Sequence, residues 1–363
     1  MSEATFALDL RKAAVAAWEQ TDGQLQQALT KHLVVSFMGS ASSGKDSGIK
    51  ALFGIDFGDI SPVPGSTREL RAAKLDAEGQ VILLNAPGFG DVRGEIDEVA
   101  RNAADMVDIF VYVVNAEGGA TADEKRDLDW IRRLERPVLV CINKIDLIRP
   151  ADRDHFVSST LGQLAVDPKD AVITAFAPHP KLSPEPIGVE YVIDWIGRRL
   201  EESGKALMFA KHLRNKAAAC EPIIQSAARN ASIAGAVPIP GADIAVVTAI
   251  QVKLIRDIAV VHGQTLDKDV VAFILAELLA GGMRGFVRWG VEGLKAAGWV
   301  PGGQFAEAAI LALSATVAGA TTYGVGKATV AWIQSGRKME GDALRAAFDM
   351  AAFAWKDKTT GRK

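Results

Sequence analysis

The chain has 363 residues, 49% of them hydrophobic and 23% charged, a balance that excludes intrinsic disorder as the default and gives length enough for two ordinary domains. A formal net charge of -3 carries no global bias toward nucleic acid, and no nucleic-acid site is evident along the chain. Its two cysteines, Cys141 and Cys220, are too few for a disulfide scaffold and sit at no metal-ligand spacing, which points to a reducing cytoplasm.

In chain order, residues 1–30 read as an amphipathic helix. Phe6, Leu10, Ala14, Ala17, Trp18, Leu25 and Leu29 recur at helical spacing, with Asp22-Gly23 as the weak point. Charges interrupt this stretch, so it lacks the apolar core of a secretory signal, and it is expected to pack on another domain. From Leu33 the pattern changes to short apolar runs, LVVSFMG, VILLNAPG, IFVYVVNA, PVLVCINK and AVITA, separated by helical stretches. That alternation predicts an α/β fold over 31–204, a doubly wound, mostly parallel sheet covered by helices. After Gly204 the strand signals stop. Alanine-rich helical patterns fill 205–340, broken around Val237 to Gly241, His262 to Thr265 and Gly298 to Gly303, and a last helix and tail occupy 341–363 with Asp342 as its cap.

Chemistry concentrates in the α/β half. GSASSGKDS, residues 39–47, is a G-x-x-x-x-G-K turn between a strand and a helix. In that context the backbone N–H groups of Gly39, Ser40, Ala41, Ser42, Ser43, Gly44, Lys45, Asp46 and Ser47 can wrap a phosphate chain, while Lys45 reaches its terminal phosphates. The competing reading is a glycine-rich turn with one exposed lysine. Downstream, VLVCINKID ends a strand on Asn143, Lys144 and Asp146. An aspartate there can accept two N–H donors of guanine, the asparagine braces the loops, and the lysine stem packs over the base. Between the two, VILLNAPGFGD leads into Gly88, whose N–H is placed to sense a γ-phosphate.

With GSASSGKD, PGSTR, NAPG and NKID standing in that order over residues 33–200, the chain resembles the Era-like branch of the P-loop GTPases. The resemblance implies GTP or GDP as ligand, Mg²⁺ as cofactor, Lys45 and Thr67 as catalytic groups, Thr67 as a switch threonine approaching the metal, and Thr174-Ala175 as the last base-contacting loop. The TAF sequence there departs from the usual Ser-Ala pair.

Two further positions break the pattern. Asp46 stands where the family places a metal-binding hydroxyl, and Asn85 where it places an aspartate that supports the metal through water. A carboxylate about 4 Å from one phosphate charge costs on the order of 4 kcal/mol at an effective dielectric near 20. Either Mg²⁺ lies between them and Asp46 is a relocated metal ligand, or Asp46 merely caps the helix of a degenerate nucleotide site. Ser47 offers a hydroxyl one residue late, rotated about 100° from its neighbour. No glutamine follows NAPG; Phe89 stands nearby, so hydrolysis by the chain alone is expected to be slow, with Arg68, Asp91 and Arg93 available on the switches. His32, His179, His212 and His262 show no ligand spacing.

The helical half, over about 205–335, resembles a helical domain of unknown function fused to such GTPases in bacteria, most recognisably at PIPGAD. Ile244 to Val261 has only a narrow polar stripe of Thr248, Gln251, Lys253, Arg256 and Asp257, which predicts a largely buried helix. Ala308 to Gly326 lacks charge, but its Ala, Gly and Thr suit close packing in a soluble bundle better than lipid. Lys205, Lys211, Arg214 and Lys216 are available to an anionic membrane surface or to solvent. Together these features predict a cytoplasmic guanine-nucleotide-binding protein, a slow GTPase switch read out by the helical domain. The alternatives are a non-hydrolysing scaffold or a membrane-remodelling GTPase, peripheral at the inner face of the membrane, with a homodimer through the G domain as a further partner.

Overall fold

The computed structural model describes residues 3–57, 70–86, 103–236, 242–279 and 305–360. The chain divides into two compact units, Thr30–Ala219 on one side and Met1–Leu29 with Cys220–Lys363 on the other.

The first unit is built on strands β1 (Leu33–Met38), β2 (Arg71–Lys74), β3 (Val81–Asn85), β4 (Ile109–Asn115), β5 (Val138–Asn143) and β6 (Ala171–Ile173). They form one sheet in the order β2-β3-β1-β4-β5-β6. All neighbours are parallel except β2, which runs antiparallel to β3. β4 at the centre is buried almost throughout, the continuous apolar run expected of a strand covered on both faces. Its helices are α2 (Lys45–Phe53), α3 (Ala122–Arg133), α4 (Arg153–Leu164), α5 (Val189–Glu201) and α6 (Ala206–His212). Phe37 of β1, Phe53 of α2 and Phe209 of α6 meet edge to face in sequence. The unit runs past Gly204 to Ala219 because α6 packs against α5 and the following Arg214 N donates to Leu52 O at 2.8 Å.

Register decides where the motifs fall. Phe37 lies beside Asn85 and Val111, and Asn115 beside Asn143. The carboxyl ends of β1, β3, β4 and β5 therefore share one edge of the sheet, where ligands bind in open α/β folds.

The second unit is helical: α1 (Glu3–Leu29), α7 (Lys216–Gly235, which begins in the first unit), α8 (Ala242–Val261), α9 (268–279), α10 (Phe305–Gln334) and α11 (Gly341–Thr360). Leu10, Ala14 and Ala17 of α1 join Val252, Ile255, Leu275, Val325 and Phe348 in its core. α1 runs unbroken through Asp22-Gly23, and Asp22 is fixed by an ion pair to Arg256 of α8. The polar stripe of α8 is buried at Thr248, Gln251, Arg256 and Asp257. Arg256 donates to Trp18 O and Thr21 Oγ1, both at 3.1 Å, and its guanidinium lies 3.9 Å from the centre of the Trp18 ring. On α10, a Cβ at Gly324 would fall 2.9 Å from the Phe348 ring, and one at Gly326 would fall 2.8 Å from Ile224. Its small residues serve close helix packing, and among the described residues no helix is long and apolar enough to cross a membrane.

Candidate functional site

The turn from β1 into α2 holds a shape that only its glycines permit. Gly39 has φ +142° and a Cβ there would meet Val113 O at 2.2 Å; Gly44, the N-cap of α2, has φ +98° and a Cβ there would meet Asn143 Nδ2 at 2.2 Å. Ser42 also adopts a left-handed conformation. Ser43 is fully buried, and its Oγ has no hydrogen-bond partner among the described residues. The Lys45 ammonium folds back over the turn, donating to Gly39 O and Ser40 O at 2.9 Å each. The amino-terminal end of α2 thus brings the positive end of its dipole to one small arc, flanked by the Lys45 cation.

Asn143, at the end of β5, ties this arc to the second motif. Its Nδ2 donates to Ser43 O at 2.8 Å, while its Oδ1 accepts from Phe176 N at 3.0 Å and Thr174 Oγ1 at 3.3 Å. All three Asn143 bonds are buried, which makes the side chain a costly one to replace. Lys144, left-handed at φ 63°, sends its Nζ to Glu117 Oε2 at 2.7 Å. That hydrogen bond holds the Glu117 carboxyl below its usual range. Asp146 is mostly buried, and its Oδ2 accepts from His179 N at 3.1 Å. Thr174 and Ala175 are buried beside it; Ile145 N donates to Thr174 O, and Ala175 exchanges backbone bonds with Ile187.

The exchanged pair of residues is in direct contact. Asn85 Nδ2 donates to Asp46 Oδ1, with Asn85 buried at the end of β3 and Asp46 exposed in the first turn of α2. The amide orients one carboxylate oxygen of this exposed residue, and a carboxylate is a hard donor, an arrangement that fits a cation completed by phosphate and water oxygens. Among the described residues no group of three His, Cys, Asp or Glu could hold a metal unaided.

Ser47, one helical position on from Asp46, lines a cleft of ≈ 560 Å³ with Lys50, Phe176, Val189 and Arg214. Thr67 and Arg68, and Gly88, Phe89, Asp91 and Arg93, lie outside the described residues. His179 contributes its backbone, and burial pushes the His212 imidazole below its ordinary range. Of the basic residues at the end of this unit, Lys205 is engaged with Asp108 at 2.5 Å and Lys216 with Lys211 O.

Two acids absent from the motif reading border the site, Glu117 on Lys144 and Glu124, whose Oε1 accepts from Ser40 Oγ at 3.3 Å. The available signal for Glu124 was the Thr121-x-x-Glu124 spacing of a capping box, which the structure contains.

A mostly parallel sheet, a G-x-x-x-x-G-K turn at its edge and an N-K-x-D motif on the next strand but one define a P-loop G domain. Residues 34–144 match the family described as 50S ribosome-binding GTPase, and residues 199–357 match a domain of unknown function, DUF697. The chain thus carries a domain of the P-loop GTPase family joined to a helical DUF697 domain. GTPase Era of Aquifex aeolicus is 34% identical over 126 residues, covering 32% of this chain and 42% of that protein. GTPase Der of Stenotrophomonas maltophilia is 27% identical over 177 residues, covering 47% and 35%. The chain spans less than half the length of these relatives. Among solved structures, a probable GTP-binding protein engB is 19% identical with a TM-score of 0.34, covering 47% of this chain and 99% of that chain. Aquifex aeolicus Era bound to GDP.AlF4- is 21% identical with a TM-score of 0.30, covering 49% and 67%.

Proposed function

We propose that this chain binds GTP and GDP and hydrolyses GTP slowly, its nucleotide state being passed to the helical unit. The observation that carries this reading is the Asn143 tether, which joins the P-loop at Ser43 to the base loop at Thr174 and Phe176. Such a tether supports the reading of residues 39–47 as a loop held in place for a ligand shared with the base loop.

In this reading the N–H groups from Ser40 to Asp46 hold the phosphates, Lys45 leaves its two carbonyls for the terminal phosphates, and Asp146 accepts from the guanine with Lys144 packed over it. Thr67 and Gly88 close on the γ-phosphate, roles that rest on the family resemblance. Asp46 would hold Mg²⁺ through its carboxylate, while Asn85 orients that carboxylate without adding a second negative charge. Bound there, Mg²⁺ neutralises charge on the phosphate oxygens. Water attacks the γ-phosphoryl group, the bond to the β-phosphate oxygen breaks, and Lys45 stabilises the charge that develops.

The reading is tested by single-turnover GTP hydrolysis with and without Mg²⁺, alongside hydrogen exchange in GDP and in a non-hydrolysable GTP analogue. Mg-dependent turnover abolished by Lys45→Ala, with exchange differences beyond residue 220, is expected; exchange that is identical in the helical unit would refute the readout. One observation favours a second reading, a nucleotide-binding scaffold without hydrolysis: the Asn85 amide donates directly to Asp46 Oδ1, a bond that an aspartate at position 85 could not supply. Homodimerisation through the G domain and a peripheral contact at the inner face of the membrane belong to this proposal as partners, checked by light scattering in each nucleotide state and by liposome flotation.

A further inference from the structure

The connection from β4 to α3 touches both ends of the site. Asn115 pairs in register with Asn143, Glu117 holds Lys144, and Thr121 then caps α3. The two oxygens of Glu124 are divided. Oε2 accepts from Thr121 N at 3.0 Å, closing the capping box, and Oε1 accepts from Ser40 Oγ at 3.3 Å.

Glu124 is only 3% exposed, and burial raises its carboxyl above the ordinary range. A capping box uses one carboxylate oxygen; the other, left alone at this depth, would cost the desolvation of an unmade hydrogen bond. Ser40 supplies that bond. Ser40 is also the residue whose carbonyl, with that of Gly39, holds the Lys45 ammonium. Its side chain is therefore held by Glu124 while its carbonyl is held by Lys45. The Ser40 hydroxyl is the donor in this bond, so it acts as a tether to Glu124.

We propose that Glu124 is a positioning residue for the phosphate loop, acting through the Ser40 hydroxyl to fix the loop's first turn and the seat of Lys45. This inference rests on the reading of residues 39–47 as a nucleotide loop. It assigns a role to a helix that carries none of the GTPase motifs.

The test is a double-mutant cycle on the full chain, read by calorimetric titration with GDP and Mg²⁺ and, separately, by thermal melting. Ser40→Ala and Glu124→Ala are each expected to weaken GDP by about 3- to 10-fold, the yield of one modest hydrogen bond. The double variant should bind within about twofold of Glu124→Ala, since both changes cut the same link. Thr121→Ala, which spoils the cap and leaves the Ser40 contact, should lower the melting temperature and leave GDP affinity unchanged. If Glu124→Ala does not fold, Ser40→Ala and Thr121→Ala still separate positioning from capping. Parent-like GDP binding by Ser40→Ala, or losses that multiply in the double variant, would overturn the inference while leaving GDP binding intact. Absence of GDP binding by the unmodified chain would instead overturn the nucleotide reading, and this inference with it.

Discussion

Asn143 Nδ2 donates to the carbonyl of Ser43 at 2.8 Å, joining residues 100 apart in sequence through a buried hydrogen bond. The same side chain accepts from Phe176 N and Thr174 Oγ1. Phosphate loop and base loop are thereby held to one reference point, and the account predicts that they fail together. Asn143→Ala leaves a buried carbonyl and a buried amide without partners, at about 1–3 kcal/mol each. Urea unfolding should show the loss in stability, and calorimetry should show GDP affinity falling at least tenfold. Unchanged affinity in a destabilised protein would mean that the tether serves folding alone.

The glycine at the start of α2 offers a sharper contrast. Alanine at Gly44 would place its Cβ 2.2 Å from Asn143 Nδ2 at φ +98°, so both strain and collision oppose it, at about 1–3 kcal/mol or more. Gly23→Ala is the control. Nothing lies within 4 Å of a Cβ there, the site is interior to α1, and a gain of about 0.5–1 kcal/mol is expected from helix propensity. Thermal melting of the two variants should move in opposite directions.

The Asp46–Asn85 contact separates the hydrolysing from the scaffold reading. If Asp46 is a relocated metal ligand, Asp46→Asn should raise the Mg²⁺ concentration needed for half-maximal GTP binding by about tenfold or more, a cost of about 1.4 kcal/mol. The paired change Asp46→Ser with Asn85→Asp restores the family's usual arrangement and should retain Mg-dependent binding. Tight Mg-dependent binding that appears only in the double variant would show the parent site to be degenerate.

In the helical unit, burial holds the Asp257 carboxyl above its ordinary range, outweighing Lys253 Nζ at 2.5 Å and the nearby Arg256. The folded state then takes up this proton more readily than the unfolded chain. Its stabilising contribution is present in acid, below the unfolded value, and is lost as pH rises through the folded one. Relative to the parent, Asp257→Asn should therefore gain stability as pH rises from about 4 toward 7 in urea unfolding at a series of pH values. A variant that loses ground over that interval would contradict the sign.

How much of this was legible in the sequence follows from which forces act locally. β1, β3, β4 and β5 announce themselves as apolar runs because both faces are covered. The RAAK of β2 does not: it is an edge strand with a half-exposed pattern, specified by pairing with β3 rather than by its own residues. The glycine turn and N-K-x-D were readable because their backbone and side-chain demands are met within a few positions. Glu124 on Ser40 was not, since only the sheet's crossover brings α3 to the P-loop. Similarly, Asp22-Gly23 reads as the weak point of α1, and Arg256 fastens that turn from a helix far along the chain, which the sequence does not show.

The central claim is that one edge of the sheet holds a guanine nucleotide, with Asp146 selecting the base. Calorimetric titration of the full chain with GDP and with ADP, in Mg²⁺, tests it most directly. The account predicts saturable heat with GDP, none with ADP over the same concentrations, and loss of the preference in Asp146→Asn. No heat with GDP, or equal binding of the two, would contradict it.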